Sequence, residues 1–289
     1  MFSQPDSTHS RTTEIQRGAT FTGGRTQWTT RSAILSQRVR KTRAVDSTTA
    51  MNRSSAPISV EAGQSYFISA SKTAKFGTSD TAAAVGATGA AGLRIGERTL
   101  YIGTRQVSDK NQDPIIRAFG KDGNRLWSRT DYEATGADGR GYGLFWSGNA
   151  LYGLFSVDGT QGAPTQDFRR AAQGNKTGWT KSYGMGGGAK ATVLAKLNPT
   201  TGAMQGASYL SGVLQSGKTN SLVVTGMERA SNGNLVIKAQ VYYGPRGVNG
   251  KLMNQKGTDK SPFDYTLEMT ADLKQVIKAS APGWLASNS

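Results

Sequence analysis

The chain has no cysteine and only one histidine among its 289 residues. Without cysteine it can form no disulfide, no thiolate nucleophile and no cysteine-ligated metal site. The one histidine, His9, lies in a polar N-terminal segment that is a poor frame for a catalytic triad or a metal centre. We therefore interpret His9 as a solvated side chain, expect neither a cofactor nor a metal ion, and favour a non-enzymatic protein.

Acidic residues are scarce relative to basic ones. The chain has 19 Asp and Glu against 35 Lys and Arg, which gives a formal charge of +16. Segment 1–55 holds nine basic and three acidic residues, a charge of +6, which leaves +10 for the remainder. A positive field attracts acidic proteins, nucleic acid or anionic membrane surfaces, and it does not choose among them.

Long apolar runs are also missing. No stretch approaches the ~20 apolar residues of a transmembrane helix, and the N-terminus has no apolar region of the signal-peptide kind. The sequence therefore predicts a protein without a transmembrane segment, and we expect it to be cytoplasmic.

Residues 1–55 are rich in Ser, Thr, Arg, Gln and Gly, with few large apolar side chains. Such a composition cannot bury enough apolar surface to offset the entropy of ordering the chain. We predict an extended, intrinsically disordered-like basic arm over 1–55 and a folded domain over 56–289. Sparse apolar anchors between arginines suit an arm laid along a partner surface, where arginine pairs with carboxylates. The arm residues predicted to bind the partner are Phe21, Arg25, Trp28, Arg31, Arg38, Arg40, Lys41 and Arg43.

The stretch 31–43 within the arm also has the composition of a short basic helix. Such a helix would suit RNA or an anionic bilayer equally well.

Beyond residue 56, short β-branched or aromatic runs alternate with turns rich in Gly, Asn, Asp and Ser, a pattern typical of an all-β fold. Two kinds of hairpin each occur three times. The first kind spans 93–103, 144–154 and 227–237, and the second spans 116–127, 194–205 and 266–277. In the second kind two apolar residues stand seven apart, as in Phe119 and Leu126, Leu197 and Met204, and Met269 and Val276.

Pairs of hairpins define three four-stranded units at about 90–132, 143–212 and 221–280. Recurring units of this kind predict a β-propeller-like array. The stretch Gln64–Gly77 supplies a further strand, which we expect to pair with the last unit and close the ring, because closure protects sheet edges.

Four segments carry a family resemblance. AKLNPTTG at 195–202, ASYLSG at 207–212 and NGNLV at 232–236 are similar to the bacterial SBBP-type β-propeller repeats. FGTSD at 76–80 resembles a further segment of those repeats. The resemblance covers about 75–280 and implies a propeller fold, with no catalytic residues to carry over.

The separation between paired hairpins differs greatly: 19 residues from Leu100 to Phe119, 46 from Leu151 to Leu197 and 34 from Leu235 to Met269. The two longer separations contain the loops Asp158–Lys190 and Gly244–Lys260. Insertions at equivalent places emerge on one side of an array and often form a binding face. A basic face is expected there. The first loop contains Arg169, Arg170, Lys176 and Lys181, and the second contains Arg246, Lys251, Lys256 and Lys260. The candidate partner-binding residues among them are Arg169, Arg170 and Arg246. The alternative is that these are solvated loop charges.

Three motifs match known functional patterns, but we favour a purely structural interpretation of each. Residues 212–219, GVLQSGKT, match a phosphate-binding P-loop pattern, but the following run 221–226 indicates a strand where that motif needs a helix. The glycine run 184–188 suits a connector better than an anion-binding nest. Asp131, Glu133 and Asp138 share a glycine-rich loop, a poor frame for paired-carboxylate glycosidase chemistry.

Aromatic residues at strand positions are interpreted as core, although several on one exposed basic face would suit base stacking. These aromatics are Trp127, Phe145, Trp146, Tyr152, Phe155, Tyr209, Tyr242 and Tyr243.

The resulting hypothesis is a structural linker or scaffold subunit that binds acidic protein subunits of a larger complex. Phycobilisome linkers are an analogy on charge and architecture alone. Two alternatives stay open: a nucleic-acid-binding accessory protein of the ribosome-associated kind, and a surface or phage-type adhesin that binds glycans.

Overall fold

The structure is a computed structural model that describes the strands at 58–59 and 64–67 and residues 72–158, 162–172, 179–180 and 190–286. The chain divides into two units, Met1–Ala50 and Met51–Ser289, and everything described belongs to the second. The predicted arm residues, His9 and the glycine run 184–188 lie outside the described residues.

The first sheet has the strand order β1-β3-β4-β5-β6. Its strands are β1 (Ile58–Ser59), β3 (Ala91–Ile95), β4 (Arg98–Ser108), β5 (Asn111–Phe119) and β6 (Arg125–Arg129). The last four form an antiparallel meander, and β1 adds to β3 in parallel. Helix α1 (Ala82–Ala87) precedes this meander and is capped by the Thr81 hydroxyl.

The second sheet has the order β10-β9-β8-β7-β2. Its strands are β2 (Gln64–Phe67), β7 (Gly139–Trp146), β8 (Leu151–Val157), β9 (Ala191–Leu197) and β10 (Met204–Leu210), with α2 (Phe168–Ala172) between β8 and β9. All of its pairings are antiparallel.

The third sheet is the antiparallel meander β13-β14-β16-β17. It consists of β13 (Leu222–Arg229), β14 (Leu235–Val241), β16 (Phe263–Met269) and β17 (Val276–Ser280). Two short pairs complete the domain, namely β11 (Gly212–Val213) with β12 (Thr219–Asn220), and β15 (Asn254–Gln255) with β18 (Trp284–Leu285).

The all-β prediction and the three four-stranded units are confirmed, because each predicted hairpin is a pair of adjacent antiparallel strands. The seven-residue register holds for Leu197 with Met204 and for Met269 with Val276. It is wrong in the first unit, where a bulge pairs Phe119 with Arg125. The extra residue, Leu126, is consequently 49% exposed.

The ring-closing strand was predicted wrongly. Gln64–Phe67 pairs with β7 of the second sheet, not with the third sheet. Strands β1 and β2 therefore cover the free edges of β3 and β7, the first strands of two successive meanders. Pairing these edges satisfies their backbone groups and blocks edge-to-edge association.

The second sheet lies in the middle of the core. One buried cluster joins it to the first sheet and another joins it to the third. Strand β8 is therefore buried along its whole length, whereas β14 alternates between buried and more exposed positions. The far face of the first sheet packs on Ala74, Phe76, Val85 and Ala90 of the segment before it.

The shortest hairpin separation, Leu100–Phe119, is spanned by β4 and β5, which extend to a two-residue turn at Asp109–Lys110. One further sequence expectation is corrected in part. Of the aromatics predicted to be core, Phe145, Tyr152, Phe155 and Tyr209 are buried, but Tyr242 and Tyr243 lie beyond the end of β14 and are exposed.

The P-loop match is a tight turn, as the favoured alternative predicts. The Leu214 and Lys218 backbones close the β11–β12 hairpin, and Gly217 supplies the positive φ of 79° that the turn needs. Strand β13 follows, so the phosphate-binding helix of a P-loop is replaced by a strand. Within the described part of the chain, no helix is long and apolar enough to span a membrane.

Candidate functional site: charged surface, tyrosine–lysine face and carboxyl pocket

Two of the three predicted arginines of the domain are engaged internally. Arg169 on α2 donates from Nε and Nη2 to the buried Asp167 carboxylate, at 2.9 and 2.7 Å, and to the Gly162 carbonyl. Arg246 donates to the Gly250 carbonyl at 2.7 Å and to the Ser211 hydroxyl, and burial lowers the pKa of its guanidinium. Both arginines therefore hold their own loops in place.

Arg170, the third, is exposed. Its Nη1 donates to the Asp131 carbonyl at 3.2 Å, which ties α2 to the connection between the first and second sheets. Of the three, Arg170 has the location expected of a surface contact residue.

In the described part of the chain, ion pairs engage a larger share of the acidic side chains than of the basic ones. Ion pairs engage eight acidic side chains: Glu97, Asp113, Asp131, Asp138, Asp158, Asp167, Glu228 and Asp272. Many cations have no carboxylate within ion-pair distance among the described residues. Those that are also exposed are Lys72, Lys75, Arg94, Lys110, Arg125, Arg170, Lys218, Arg229, Lys251, Lys256, Lys260 and Lys278. Exposed acidic side chains without an ion pair in the described part of the chain are fewer: Asp109, Asp122, Asp259 and Asp264. The described surface therefore has an excess of unpaired positive charge.

The connection from β14 to β16 combines such cations with exposed apolar side chains. We use the name tyrosine–lysine face for its residues Tyr242, Tyr243, Val248, Lys251, Lys256 and Lys260, together with Leu285 of β18, which pairs with β15 of this connection. The sequence predicted the basic character of this connection. It did not reveal the exposed tyrosines, because a Tyr-Tyr pair after a strand reads as part of that strand.

A cleft of about 420 Å³ lies beside the β4–β5 turn. It is lined by Arg105, Val107, Asn111, Asp113, Thr130, Asp131, Glu133, Ala134, Thr135 and Arg170. Asp131 and Glu133 thus share this cleft. Asp138 lines a second, smaller cavity together with Glu133, and it accepts hydrogen bonds from Arg140 and the Gln112 backbone N–H. Sequence reasoning missed Asp113, because nothing in an isolated strand sequence shows that β5 passes behind this loop.

Glu133 is buried at the back of the cleft against Asp113. Its Oε2 accepts hydrogen bonds from the Thr135 backbone and hydroxyl, at 2.8 and 2.7 Å. Burial, with the nearby Asp113 carboxylate, raises the pKa of Glu133 to about 7, and the Thr135 hydrogen bonds oppose that rise. Asp113 is held by Arg105 at 3.1 Å. A protonated Glu133 donates to Asp113, which gives its otherwise unpartnered Oε1 a hydrogen bond.

Because Glu133 and Asp113 form a buried carboxyl pair, we expect the free energy of unfolding to depend on pH. The pKa of Glu133 lies above its unfolded value, so the folded state binds the proton more tightly. The stabilisation is complete below about pH 4.5 and is lost as pH rises through about 7. The variant Glu133→Gln, which keeps a donor for Asp113, should remove this dependence. From pH 5 to 8 we expect wild type to lose about 2–3 kcal/mol relative to Glu133→Gln.

Urea unfolding at several pH values measures this difference, because other titrating groups cancel between the two proteins. The exposed exchange Glu228→Gln is the control and should track wild type. Equal pH slopes for wild type and Glu133→Gln would show that Glu133 ionises normally in the folded protein.

No protein-family model matches the chain, and no curated protein matches it significantly.

Proposed function

We propose that this chain is a non-enzymatic scaffold or linker subunit that binds and stabilises a large acidic protein assembly. In this proposal the three sheets act as blades of an open propeller-like array, and the basic arm over 1–55 extends along the partner. A cytoplasmic light-harvesting antenna such as a phycobilisome is one assembly of the required charge, by analogy.

The observation that supports this proposal is the unequal charge pairing of the described surface. Eight carboxylates are in ion pairs and others, such as Glu268, accept hydrogen bonds from the domain's own side chains. The excess cations remain available to an acidic partner, and complementary potentials steer association and exclude partners of like charge. The arm adds a charge of +6 with aromatic anchors at Phe21 and Trp28.

A nucleic-acid partner is the second candidate, since exposed tyrosines accompany unpaired lysines on the tyrosine–lysine face. Bases stack on aromatic rings, and phosphate binding depends steeply on salt.

Affinity isolation of the tagged full chain from its native cells at low salt tests the proposal. We expect one acidic multi-subunit complex to co-purify and to be lost when residues 1–55 are deleted. A matched arm variant, with Arg25, Arg31, Arg38, Arg40 and Arg43 changed to lysine, keeps the charge and should retain most of the complex. Recovery of RNA, or of nothing, would contradict the scaffold function.

A further inference from the structure

Exposed apolar side chains are concentrated on the tyrosine–lysine face. Among the described residues, seven large hydrophobic side chains are 40% exposed or more. Four of them belong to this face: Tyr242, Tyr243, Val248 and Leu285. Scattered apolar residues need no explanation, but several in one place, surrounded by polar groups, mark an interaction surface.

The backbone beneath these side chains is firmly anchored. The Tyr242 N–H donates to the Ser221 carbonyl at 2.9 Å, and the Val213 N–H donates to the Gly244 carbonyl at 3.0 Å. Gly244 is packed so closely that a Cβ there would lie 2.2 Å from Leu252 Cδ1. The two tyrosines are therefore displayed from a fixed segment that leads out of β14.

Buried and partly buried side chains of the domain hold the rest of the connection. The Arg246 guanidinium donates to the Gly250 carbonyl, and the Tyr265 hydroxyl donates to the Arg246 carbonyl. Trp179 Nε1 donates to the Val248 carbonyl at 2.9 Å. A surface fixed in this way loses little conformational entropy when a partner binds, so more of the contact energy appears as affinity.

Tyr243 has a backbone conformation that favours glycine. Its φ is +72°, and it is one of two non-glycine residues with a positive φ in the described part of the chain. The other, Leu273, is fully buried, so the packing of its side chain accounts for the conformation. Tyr243 is 45% exposed. Strain without full burial of the side chain points to a role outside the domain's own core.

The charge around these anchors is positive. Lys251, Lys256 and Lys260 are exposed and have no ion-pair partner among the described residues. Lys218 lies on the β11–β12 hairpin, which is bonded to Gly244. One acidic residue, Asp259, lies within the connection.

We infer that the tyrosine–lysine face docks on an acidic protein surface, with the tyrosines as buried anchors and the lysines pairing with carboxylates at the rim. The inference rests on the proposed scaffold function and assigns it a docking site on the sheet domain. Tyrosine is enriched among the residues that dominate binding energy, and charged groups belong at the rim. Val248 and Leu285 favour protein over nucleic acid, because aliphatic side chains add contact area that base stacking does not use.

Site-specific photo-crosslinking of the full chain in its native cells tests this docking site. The photoreactive residue p-benzoylphenylalanine replaces Tyr242 or Tyr243, and matched controls carry it at Leu126 on β6 or Ile277 on β17, which are similarly exposed. We expect adducts with one acidic protein from positions 242 and 243, at least fivefold above those from 126 and 277.

A charge test accompanies the crosslinking. The triple exchange of Lys251, Lys256 and Lys260 to glutamate should lower the adduct yield at least tenfold, whereas the same exchange at Lys72, Lys110 and Lys278 should lower it much less. Both triple variants are checked for folding by circular dichroism, and the exchange to glutamine replaces a glutamate variant that fails to fold.

The outcomes separate this inference from the scaffold function. If affinity isolation recovers the acidic complex but the adducts arise equally at control positions, the docking site is wrong and the scaffold function stands. If the adducts contain only RNA, or none form, the inference is overturned. If no acidic complex is recovered at all, the scaffold function itself fails.

Discussion

Replacement of Arg117 by alanine is expected to destabilise the domain by about 3–5 kcal/mol. Arg117 is 1% exposed, and its Nη1 donates to the backbone carbonyls of Gly77, at 3.0 Å, and of Asp80. Its guanidinium lies 4.8 Å from the Phe119 ring centre. Truncation would leave a cavity and two carbonyls without their donor, and would release the segment that covers the far face of the first sheet.

Denaturant unfolding of Arg117→Ala measures the loss as a lower midpoint. The matched control is Arg125→Ala on the adjacent strand β6, where the exposed guanidinium makes one long contact, 3.4 Å to the Thr78 carbonyl. We expect that control to change stability by less than about 0.5 kcal/mol. Equal, small effects of the two exchanges would show that Arg117 does not fasten segment 72–81 to the sheet.

Replacement of Gly141 by valine is expected to destabilise the domain by about 3 kcal/mol or more. Gly141 is on β7, where the second sheet crosses β4 of the first. A Cβ at this position would lie 2.3 Å from Ile102 Cγ1 and 2.9 Å from the Gly103 carbonyl oxygen. The second contact is with backbone, so a change of side-chain rotamer cannot relieve it and the two sheets must separate.

Gly136→Val is the matched control, because a Cβ there meets nothing within 4 Å. It lies on the connection from β6 to β7 and should leave the unfolding midpoint nearly unchanged. A Gly141→Val protein as stable as the control would contradict the close packing of the two sheets. Near-ultraviolet circular dichroism would report on the buried aromatic residues of the core that they share.

Local sequence predicted the hairpins well, since strand and turn signals are both short-range. Glycines with positive φ stand in five of the six predicted hairpin turns, at Gly96, Gly123, Gly148, Gly202 and Gly233. The sixth turn, predicted from the weaker signal at 270–272, has Leu273 in that conformation instead. There the burial of the leucine side chain offsets the cost of a backbone conformation that favours glycine.

The candidate sites were predicted less completely. The basic connection at 244–260 was apparent from its lysines. Only the ion pairs and hydrogen bonds of the folded domain show which cations remain available to a partner. Arg169 and Arg246 match Arg170 in sequence character, yet both are bound within the domain. Likewise, Glu133 and Asp113 meet in one pocket only because the connection from β6 to β7 packs against β5.

The sequence by itself determined the charge, the absence of thiol chemistry, the all-β class and the three four-stranded meanders, because these depend on composition and on residues close together in the chain. Only the tertiary structure decided the location of Gln64–Phe67, the register of β6, the burial of Arg117 and the exposure of Tyr242 and Tyr243. These depend on packing between residues far apart in the chain, where the space left by one sheet determines what the next can bury.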